Sequence, residues 1–275
     1  MGKYDVPAVI EHILEMKQEQ SRVAYIGHSQ GSTQMYYALS EGVPGVADKL
    51  SLFVALGSAT KLSHAFSLNF KRQIYAYHYL DKMLKVMGVH EMFNNSWEIP
   101  FGTTLCHWFP DLCNIFYMTT VNLHPELNDD DRFNVYSYGH FPHGAPVQSW
   151  RHYCQNVIED RFQVYIKDYS KRNHLSAEIT LASISETGVP VAIFGGKGDE
   201  LADWRDAEWT RDQIGQAVVH FQLIEGGHIS FLVGHDMSYF TRDVMNLLAE
   251  HHPSPDRRQN LWPDGETPGS KLTEK

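Results

Sequence analysis

The sequence predicts an α/β fold in which a parallel sheet carries helices on both of its faces. Four apolar stretches have the length and the β-compatible composition of buried strands, and they lie at 22–26, 50–56, 189–194 and 217–224. Helical patterns connect the first of these strands to the second and the third to the fourth. Such strand–helix–strand order is typical of parallel sheets, because parallel neighbours need a long crossover connection.

The helical pattern is clearest in four stretches close to the predicted strands. Residues 5–18 are expected to form a helix that Asp5 caps, with an apolar face made of Val6, Val9, Ile10, Ile13 and Leu14. Residues 32–40 follow the first strand as a helix, and 203–214 follow the third strand. A final helix is expected from about 238 to 250.

Changes in composition divide the chain into four parts. Residues 1–60 form the N-terminal part of the sheet core, and 186–250 form its C-terminal part. Between them, 61–185 is predicted to be a helical insertion, because aromatic residues and Met recur there at helical spacing and no buried strand is evident. We call residues 61–185 the insertion. The tail at 251–275 carries four prolines and many polar groups, and it is predicted to be disordered.

Bulk composition excludes several classes of function. The net charge of −10 argues against nucleic acid as a partner. No apolar run reaches the roughly 18 residues of a membrane helix, so no transmembrane segment is predicted. No signal-like apolar segment follows Met1, so no signal peptide is predicted in this chain. The histidines show no spacing typical of metal sites, and His140 and His143 are too isolated to argue for zinc. We expect no metal ion and no cofactor.

The first predicted strand runs directly into Gly27-His28-Ser29-Gln30-Gly31, and a helical pattern follows. A serine between two glycines at a strand-to-helix turn is the nucleophile-elbow pattern. We expect side chains at Gly27 and at Gly31 to collide with neighbouring backbone in so tight a turn. The hydroxyl of Ser29 then projects from the sheet at the N-terminus of a helix, where negative charge is favoured. Ser29 is the candidate nucleophile.

A serine nucleophile needs a positioned base, and the base needs an orienting carboxylate. In hydrolytic enzymes with such an elbow the chain order is serine, then acid, then histidine. Only two loops after the insertion follow strands, at 195–203 and 225–228, and functional groups gather at the carboxyl ends of parallel strands. These loops give Asp199 as the candidate carboxylate and His228 as the candidate general base.

Each of these two choices has competitors in the sequence. His228 competes with His235, although its place after a strand and two glycines favours it. The acids that compete with Asp199 are Glu200, Asp203 and Asp206. Within the elbow, His28 is expected to shape the site rather than to catalyse. The backbone N–H of Gln30, directly after the nucleophile, is expected to be half of the oxyanion hole.

Five stretches in this order resemble one family, the acid lipases, which comprise gastric and lysosomal lipases. The stretches are 3–10, 27–31, 140–148, 195–203 and 226–231, and the resemblance covers roughly 3–250. It is weakest between 61 and 130. The family places its acid in the stretch that contains Asp199 and its histidine in the stretch that contains His228, so the resemblance strengthens both assignments.

The resemblance implies an α/β-hydrolase fold and the hydrolysis of carboxylic esters of lipids, such as triacylglycerols or steryl esters. The reaction would pass through an acyl-enzyme at a lipid–water interface. The insertion would be a cap over the site, and the full-length parent would be secreted or lysosomal. Two alternatives stay open: an α/β-hydrolase that acts on soluble esters, or a catalytically impaired fragment or binding protein without a complete oxyanion hole.

The sequence departs from the family at its start. Family members carry the first strands of the sheet and a His-Gly loop ahead of this region, and that loop gives the second oxyanion donor. Neither is found ahead of Ser29, and His143-Gly144 lies in the insertion and follows no strand. We therefore expect the chain to be an N-terminally truncated fragment.

The cysteines match the family only in part. Cys106 and Cys113 fall about where two cap cysteines of the family lie, so the resemblance implies a bridge between them. Cys154 lies on the apolar side of a predicted helix and is expected to be a buried thiol. Residues 94–96 form a glycosylation sequon, which matters only if the parent protein is secreted.

Overall fold

The computed structural model describes residues 1–17, 19–92, 104, 108–109, 124–133 and 144–252. Within these residues the strands are β1 (Val23–His28), β2 (Leu50–Leu56), β3 (Glu91–Met92), β4 (Ala145–Pro146), β5 (Val191–Gly196) and β6 (Val218–Ile224). The helices are α1 (Asp5–Met16), α2 (Gln30–Ser40), α3 (Leu68–Tyr75), α4 (Tyr77–Val86), α5 (Val147–Glu159), α6 (Trp204–Ile214), α7 (Ser230–Val233) and α8 (Met245–His251). A π-helical turn, Tyr239–Val244, leads into α8.

A four-stranded parallel sheet forms the centre of the fold, in the order β1-β2-β5-β6. All four predicted core strands are formed, and the predicted α/β class is confirmed. The first and third strands extend further towards the C-terminus than expected. The reason is that Gly27 pairs with Ala55 and Gly195 pairs with Leu223, although these glycines were expected to belong to the turns.

Both faces of the sheet are buried, and β2 shows this most clearly. Phe53 and Ala55 point to the face covered by α1, α2 and α6. Leu52, Val54 and Leu56 point to the other face, which α7 and the C-terminal helical segment cover. A strand buried on both faces needs apolar residues at every position, and this explains the unbroken apolar run from Leu52 to Leu56 in β2.

The first helix differs from its prediction at the cap and along one face. Asp5 is its first helical residue rather than its cap, and the Asp5 carboxylate pairs with the amino group of Met1 at 3.2 Å. Val6 and Ile10 are buried, whereas Val9 is 56% exposed. Only part of the apolar stripe of α1 is therefore buried in the core of the described residues.

Residues 160–180 of the insertion form no helix. The rest of its described part contains α3, α4 and α5 and adds one two-residue antiparallel pair, β3 with β4. Its helices α3, α4 and α5 share a small apolar cluster in which Tyr77, Trp150 and Cys154 are buried. The end of the insertion behaves differently, because Phe162 and Ile184 pack into the main core beside α2 and α6.

The described part of the chain ends at residue 252, directly after α8. The disorder predicted for the tail concerns residues 253–275 almost entirely, and these lie outside the described residues. The Ser51 hydroxyl and His252 Nδ1, 2.8 Å apart, tie this end to the sheet. Among the described residues, none of the helices has the length and apolar character needed to span a bilayer.

Candidate active site

Ser29 lies in the turn between β1 and α2 with a backbone conformation that non-glycine residues rarely adopt. Its φ is 53° and its ψ is −116°. The turn is held by backbone hydrogen bonds: Ser29 N–H donates to the Leu56 carbonyl at 2.9 Å, and the Ser29 carbonyl accepts from the N–H of Ser32 at 2.9 Å. Strained residues persist only where the surroundings fix them, and these bonds fix Ser29 at the carboxyl end of β1.

The two glycines of the elbow differ in what the structure requires of them. A Cβ added at Gly27 would lie 2.6 Å from the backbone carbon of Gly31, so the tight turn excludes any side chain there, as predicted. A Cβ at Gly31 would meet nothing closer than the Tyr25 hydroxyl, at 3.7 Å. The prediction that Gly31 also needs to be glycine is therefore wrong, because its Cβ direction points away from the turn.

The structure brings Ser29, His228 and Asp199 into one line of hydrogen bonds. The distance from His228 Nε2 to the Ser29 hydroxyl oxygen is 2.8 Å. On the other side of the ring, Nδ1 lies 2.9 Å from Asp199 Oδ2 and 3.0 Å from Oδ1. Because an ionised carboxylate only accepts, Nδ1 donates its proton to Asp199. Nε2 is then free to accept the proton of the serine hydroxyl.

Asp199 is fully buried and anchored by its own loop. Its Oδ1 accepts the backbone N–H groups of Leu201 at 2.9 Å and Ala202 at 2.7 Å. The end of β2 closes over it at Gly57, where an added Cβ would lie 3.3 Å from Asp199 Oδ2 and where φ is +56°. Gly57 directly follows β2, and only the folded chain shows that it lies beside the carboxylate.

The surroundings of His228 favour its protonated form. Burial on its own lowers the pKa of this imidazole, but the charge and hydrogen bond of Asp199, with a smaller contribution from Glu200, outweigh burial and raise the pKa above its ordinary value. A neighbouring carboxylate has this effect because it stabilises the imidazolium. The arrangement makes His228 a better proton acceptor than a free histidine.

The other two histidines considered from the sequence lie in different places. The His28 ring lies 4.8 Å from the His228 ring, and His28 Nε2 donates to the His228 backbone carbonyl at 3.0 Å. Burial, with the charge of His228 acting in the same direction, lowers the pKa of His28 to about 3, so this ring stays neutral. His235 is exposed. His28 therefore contacts the backbone of the base, and His235 lies apart from the line of hydrogen bonds.

The three competing acids have other partners. Glu200 is buried, and its Oε2 accepts from the backbone N–H of His228 at 3.4 Å rather than from the ring. Asp203 caps α6 through its side chain. Asp206 holds His64, with 2.8 Å between Asp206 Oδ1 and His64 Nδ1. Among these acids, only Asp199 contacts the imidazole.

Gln30 is the first residue of α2, and its N–H belongs to the first turn of the helix, where N–H groups have no intrahelical acceptor. It directly follows Ser29, so this N–H and the positive end of the helix dipole lie beside the serine. The His143-Gly144 pair gives no second donor that can be described, because His143 lies outside the described residues.

A cavity of about 720 Å³ opens over Ser29 and His228. Most of its lining comes from the insertion and from the loops after β2 and β5. The apolar side chains that line it are Ala59, Leu62, Phe70, Met92, Tyr153, Leu201 and Ala202, and the polar ones are Ser67, Asn69, Arg72 and Gln73. Tyr153 also borders a second cavity of about 350 Å³, which does not reach Ser29.

The cysteines, the glycosylation sequon and the isolated histidines were the other features of the sequence with chemical significance. Cys154 is a buried free thiol, as predicted, and burial raises its pKa to about 12, so it stays protonated and unreactive. Cys106, Cys113, the sequon at 94–96 and His140 lie outside the described residues. Where the chain is described, no three His, Cys, Asp or Glu side chains are grouped in a way that could hold a metal ion.

The fold and the line of serine, histidine and acid are those of an α/β-hydrolase, and comparison with known proteins agrees with this class. The model of the alpha/beta hydrolase fold family matches residues 1–235, and the chain belongs to this family. Human lipase member K is 29% identical over 262 residues, which cover 91% of this chain and 63% of the relative. Human lysosomal acid lipase/cholesteryl ester hydrolase is 28% identical over 258 residues, with coverage of 91% and 63%. Rat gastric triacylglycerol lipase is 28% identical over 259 residues, with coverage of 91% and 64%.

These relatives confirm the resemblance to the acid lipases that the sequence motifs indicated. The chain spans a little under two thirds of the length of the curated relatives that it matches.

Proposed function

We propose that this protein hydrolyses carboxylic ester bonds of lipids, with triacylglycerols or steryl esters as the substrate class. The observation that carries the proposal is the unbroken line of hydrogen bonds from the Ser29 hydroxyl through His228 to Asp199. This line ends on a serine that borders the 720 Å³ cavity. The names of the relatives, which are triacylglycerol lipase and cholesteryl ester hydrolase, support the choice of substrate class.

The reaction follows from the protons in this line. The Ser29 oxygen attacks the ester carbonyl carbon while His228 Nε2 takes the serine proton. The tetrahedral intermediate then collapses, the bond to the alcohol breaks, and His228 gives its proton to the leaving oxygen. Water, deprotonated by the same nitrogen, attacks the acyl-enzyme and releases the fatty acid. Asp199 stays ionised throughout and stabilises the imidazolium.

The negative oxygen of the tetrahedral intermediate needs hydrogen-bond donors. We assign one donor to the N–H of Gln30, which lies at the N-terminus of α2, where the helix dipole adds a further favourable field. In a protease, the loss of one such donor lowers kcat by about 100- to 1000-fold. The turnover of this chain therefore depends strongly on whether a second donor reaches the same oxygen.

The proposed domain roles follow from the lining of the cavity. Residues 1–60 and 186–250 supply the three reacting side chains, and the insertion supplies most of the apolar wall. An apolar wall suits an acyl chain, because its burial is favourable and needs no hydrogen-bond partners. We propose that the insertion is the cap that binds the acyl chain, that the substrate lies at a lipid–water interface, and that the parent protein is secreted or lysosomal.

Hydrolysis assays with two kinds of ester test the proposal. We expect the purified chain to hydrolyse emulsified long-chain triacylglycerol and a long-chain p-nitrophenyl ester, and Ser29→Ala to abolish both activities. Ser185→Ala, a serine in the 3₁₀ helix Leu181–Thr187, is the matched control and is expected to keep full activity. If the chain hydrolysed only short soluble esters, the proposed substrate class would be wrong, and soluble esters would take the place of lipid esters. Activity that survives Ser29→Ala would contradict the proposal.

A further inference from the structure

Glu200 is a buried acid beside the catalytic line to which the proposed mechanism gives no task. It follows Asp199 directly, and none of its surface is exposed. Its Oε2 accepts from the backbone N–H of His228 at 3.4 Å. Its Oε1 has no hydrogen-bond partner among the described residues. A buried carboxyl group with one unpaired oxygen is costly, so its presence at this position calls for a function.

The backbone of His228 is held by side chains on both of its polar groups. The His28 imidazole donates to the carbonyl of His228 at 3.0 Å, and the Glu200 carboxyl accepts from the N–H. The loop that carries His228 contains Gly226 and Gly227, and glycine has the greatest conformational freedom of all residues. The neighbouring glycines are held by other groups, since the N–H of Gly227 donates to the Ser230 hydroxyl at 2.9 Å and the carbonyl of Gly226 accepts from the N–H of Gly198 at 3.0 Å. Glu200 and His28 therefore complete the fixation of this loop at His228 itself.

Glu200 also joins this loop to the start of the insertion, where Ser67 lines the cavity. Its backbone carbonyl accepts the N–H groups of Phe66 at 3.0 Å and of Ser67 at 2.9 Å, directly before α3. On the other side, a Cβ at Gly227 would lie 3.2 Å from Glu200 Oε2, so the carboxyl group packs tightly against the loop of the base. One residue therefore contacts the acid, the base and the start of the insertion.

The surroundings of Glu200 favour its uncharged form. Burial raises the pKa of this carboxyl group, and the negative charge of Asp199 acts in the same direction, against the opposite effect of His228. His124 packs on the far side of the loop, against Gly198. A neutral carboxyl group still accepts a hydrogen bond through its carbonyl oxygen, and it avoids a second negative charge beside Asp199.

We propose that Glu200 is a positioning residue for His228, which it holds in place as a hydrogen-bond acceptor for the backbone N–H of the general base. This inference rests on the proposed function, since it assigns a task in the same reaction. It also explains why a glutamate occupies a buried position that an apolar side chain could fill, because an apolar side chain offers no acceptor to the N–H of His228.

Three variants test the inference on a soluble ester substrate. Glu200→Gln keeps the shape and the acceptor and loses the acid, and we expect its kcat to stay within about threefold of the wild type. Glu200→Met keeps the length and loses the acceptor, and we expect its kcat to fall about five- to tenfold with KM unchanged, the size of one hydrogen bond. Glu225→Gln is the matched control, because Glu225 is an exposed acid in the loop that carries His228 and its partner is Lys197.

The pH profile separates positioning from charge and from packing. Glu200→Gln is expected to move the acidic limb of kcat/KM, which His228 sets, only slightly to lower pH, because Asp199 is the main group that raises the pKa of His228. A limb that moves as far as in Asp199→Asn, or a Glu200→Gln variant as slow as Glu200→Met, would show that the charge of Glu200 matters more than its acceptor and would overturn the inference. A fully active Glu200→Met would show that Glu200 only fills space, and this result would overturn the inference as well.

A spectroscopic readout makes the test independent of turnover. The proton between His228 Nδ1 and Asp199 gives a far-downfield NMR signal, which we expect to persist in Glu200→Gln and to broaden or shift in Glu200→Met. An unchanged signal in both variants would contradict the inference even if the wild-type chain has no esterase activity, in which case the proposed function fails separately. If thermal unfolding shows that Glu200→Met does not fold, Glu200→Asp replaces it, since the shorter side chain withdraws the acceptor.

Discussion

The two sides of the candidate site are held in different ways. Ser29 is held through its own backbone groups: its N–H donates to the Leu56 carbonyl of β2, and its carbonyl accepts from the N–H and the hydroxyl of Ser32. Gly27 lets the chain pass close to Gly31. His228 and Asp199 are held by side chains and loop N–H groups, in a network that includes His28. The position of the nucleophile therefore depends on the space around the backbone, whereas the position of the base depends on charge and on side-chain hydrogen bonds.

The difference predicts different sensitivities for the two sides. On the side of Ser29, the damaging substitutions are those that add volume. On the side of His228, the damaging substitutions are isosteric ones that change a charge or a hydrogen bond.

Asp199→Asn is expected to have the largest effect, although it changes almost no volume. The amide donates where the carboxylate accepted, so His228 adopts the wrong tautomer and cannot take the serine proton. In a serine protease with the same three side chains, this change lowers kcat about 10⁴-fold, and we expect a similar loss here, measured with a soluble ester. Asp203→Asn, which alters the cap of α6, is the control and should lose far less activity. Equal losses would remove the distinction between the two acids.

Gly27→Ala tests the backbone side of the comparison. The added methyl group would lie 2.6 Å from the backbone of Gly31, and overpacking of this kind costs about 1–3 kcal/mol. We expect a lower free energy of unfolding in urea and a lower kcat, because the turn that carries Ser29 must shift.

Gly31→Ala is the matched control for Gly27→Ala. Its methyl group would have room, and alanine is favoured over glycine in a helix by about 0.5–1 kcal/mol. We expect Gly31→Ala to be at least as stable as the wild type. Similar destabilisation by the two substitutions would show that Gly31 is as confined as Gly27 and would contradict the difference between the two glycines.

The pH dependence of activity tests the charge coupling between Asp199 and His228, and it is the smallest of the expected effects. The reaction needs neutral His228, and Asp199 is the main group that raises the pKa of His228 against the effect of burial. The acidic limb of kcat/KM should therefore lie above the 6.5 of an ordinary histidine, and activity should fall as the pH drops through it. In Asp199→Asn the residual activity should show a limb at lower pH, since the raising charge is gone. A limb that does not move would contradict the assigned coupling.

The sequence was sufficient for the features that local patterns encode. Apolar runs bounded by glycines located the four core strands, and the order of Ser29, Asp199 and His228 along these strands selected three side chains that the fold brings into contact. Strand ends were less predictable, because Gly195 reads as a turn residue but pairs with β6. The assignment was possible because parallel strands place their carboxyl ends at one edge of the sheet.

Features that depend on packing between distant segments were not predictable. The closeness of Gly57 to Asp199 and the contact of Glu200 with the backbone of His228 both join segments far apart in the chain. No local pattern distinguishes a glycine that ends a strand from one that makes space for a carboxylate. The position of Glu200 made it a competitor for Asp199, and only the direction of its side chain separates the two roles.

The central claim is that His228 and Asp199 activate Ser29. The most direct measurement is mass spectrometry of the intact and digested protein after reaction with a long-chain alkyl fluorophosphonate, at several pH values. We expect one adduct per chain, on the peptide that contains Ser29, with a rate that falls below the pKa of His228 and is strongly reduced in Asp199→Asn. The absence of an adduct, or an adduct on another serine, would contradict the claim.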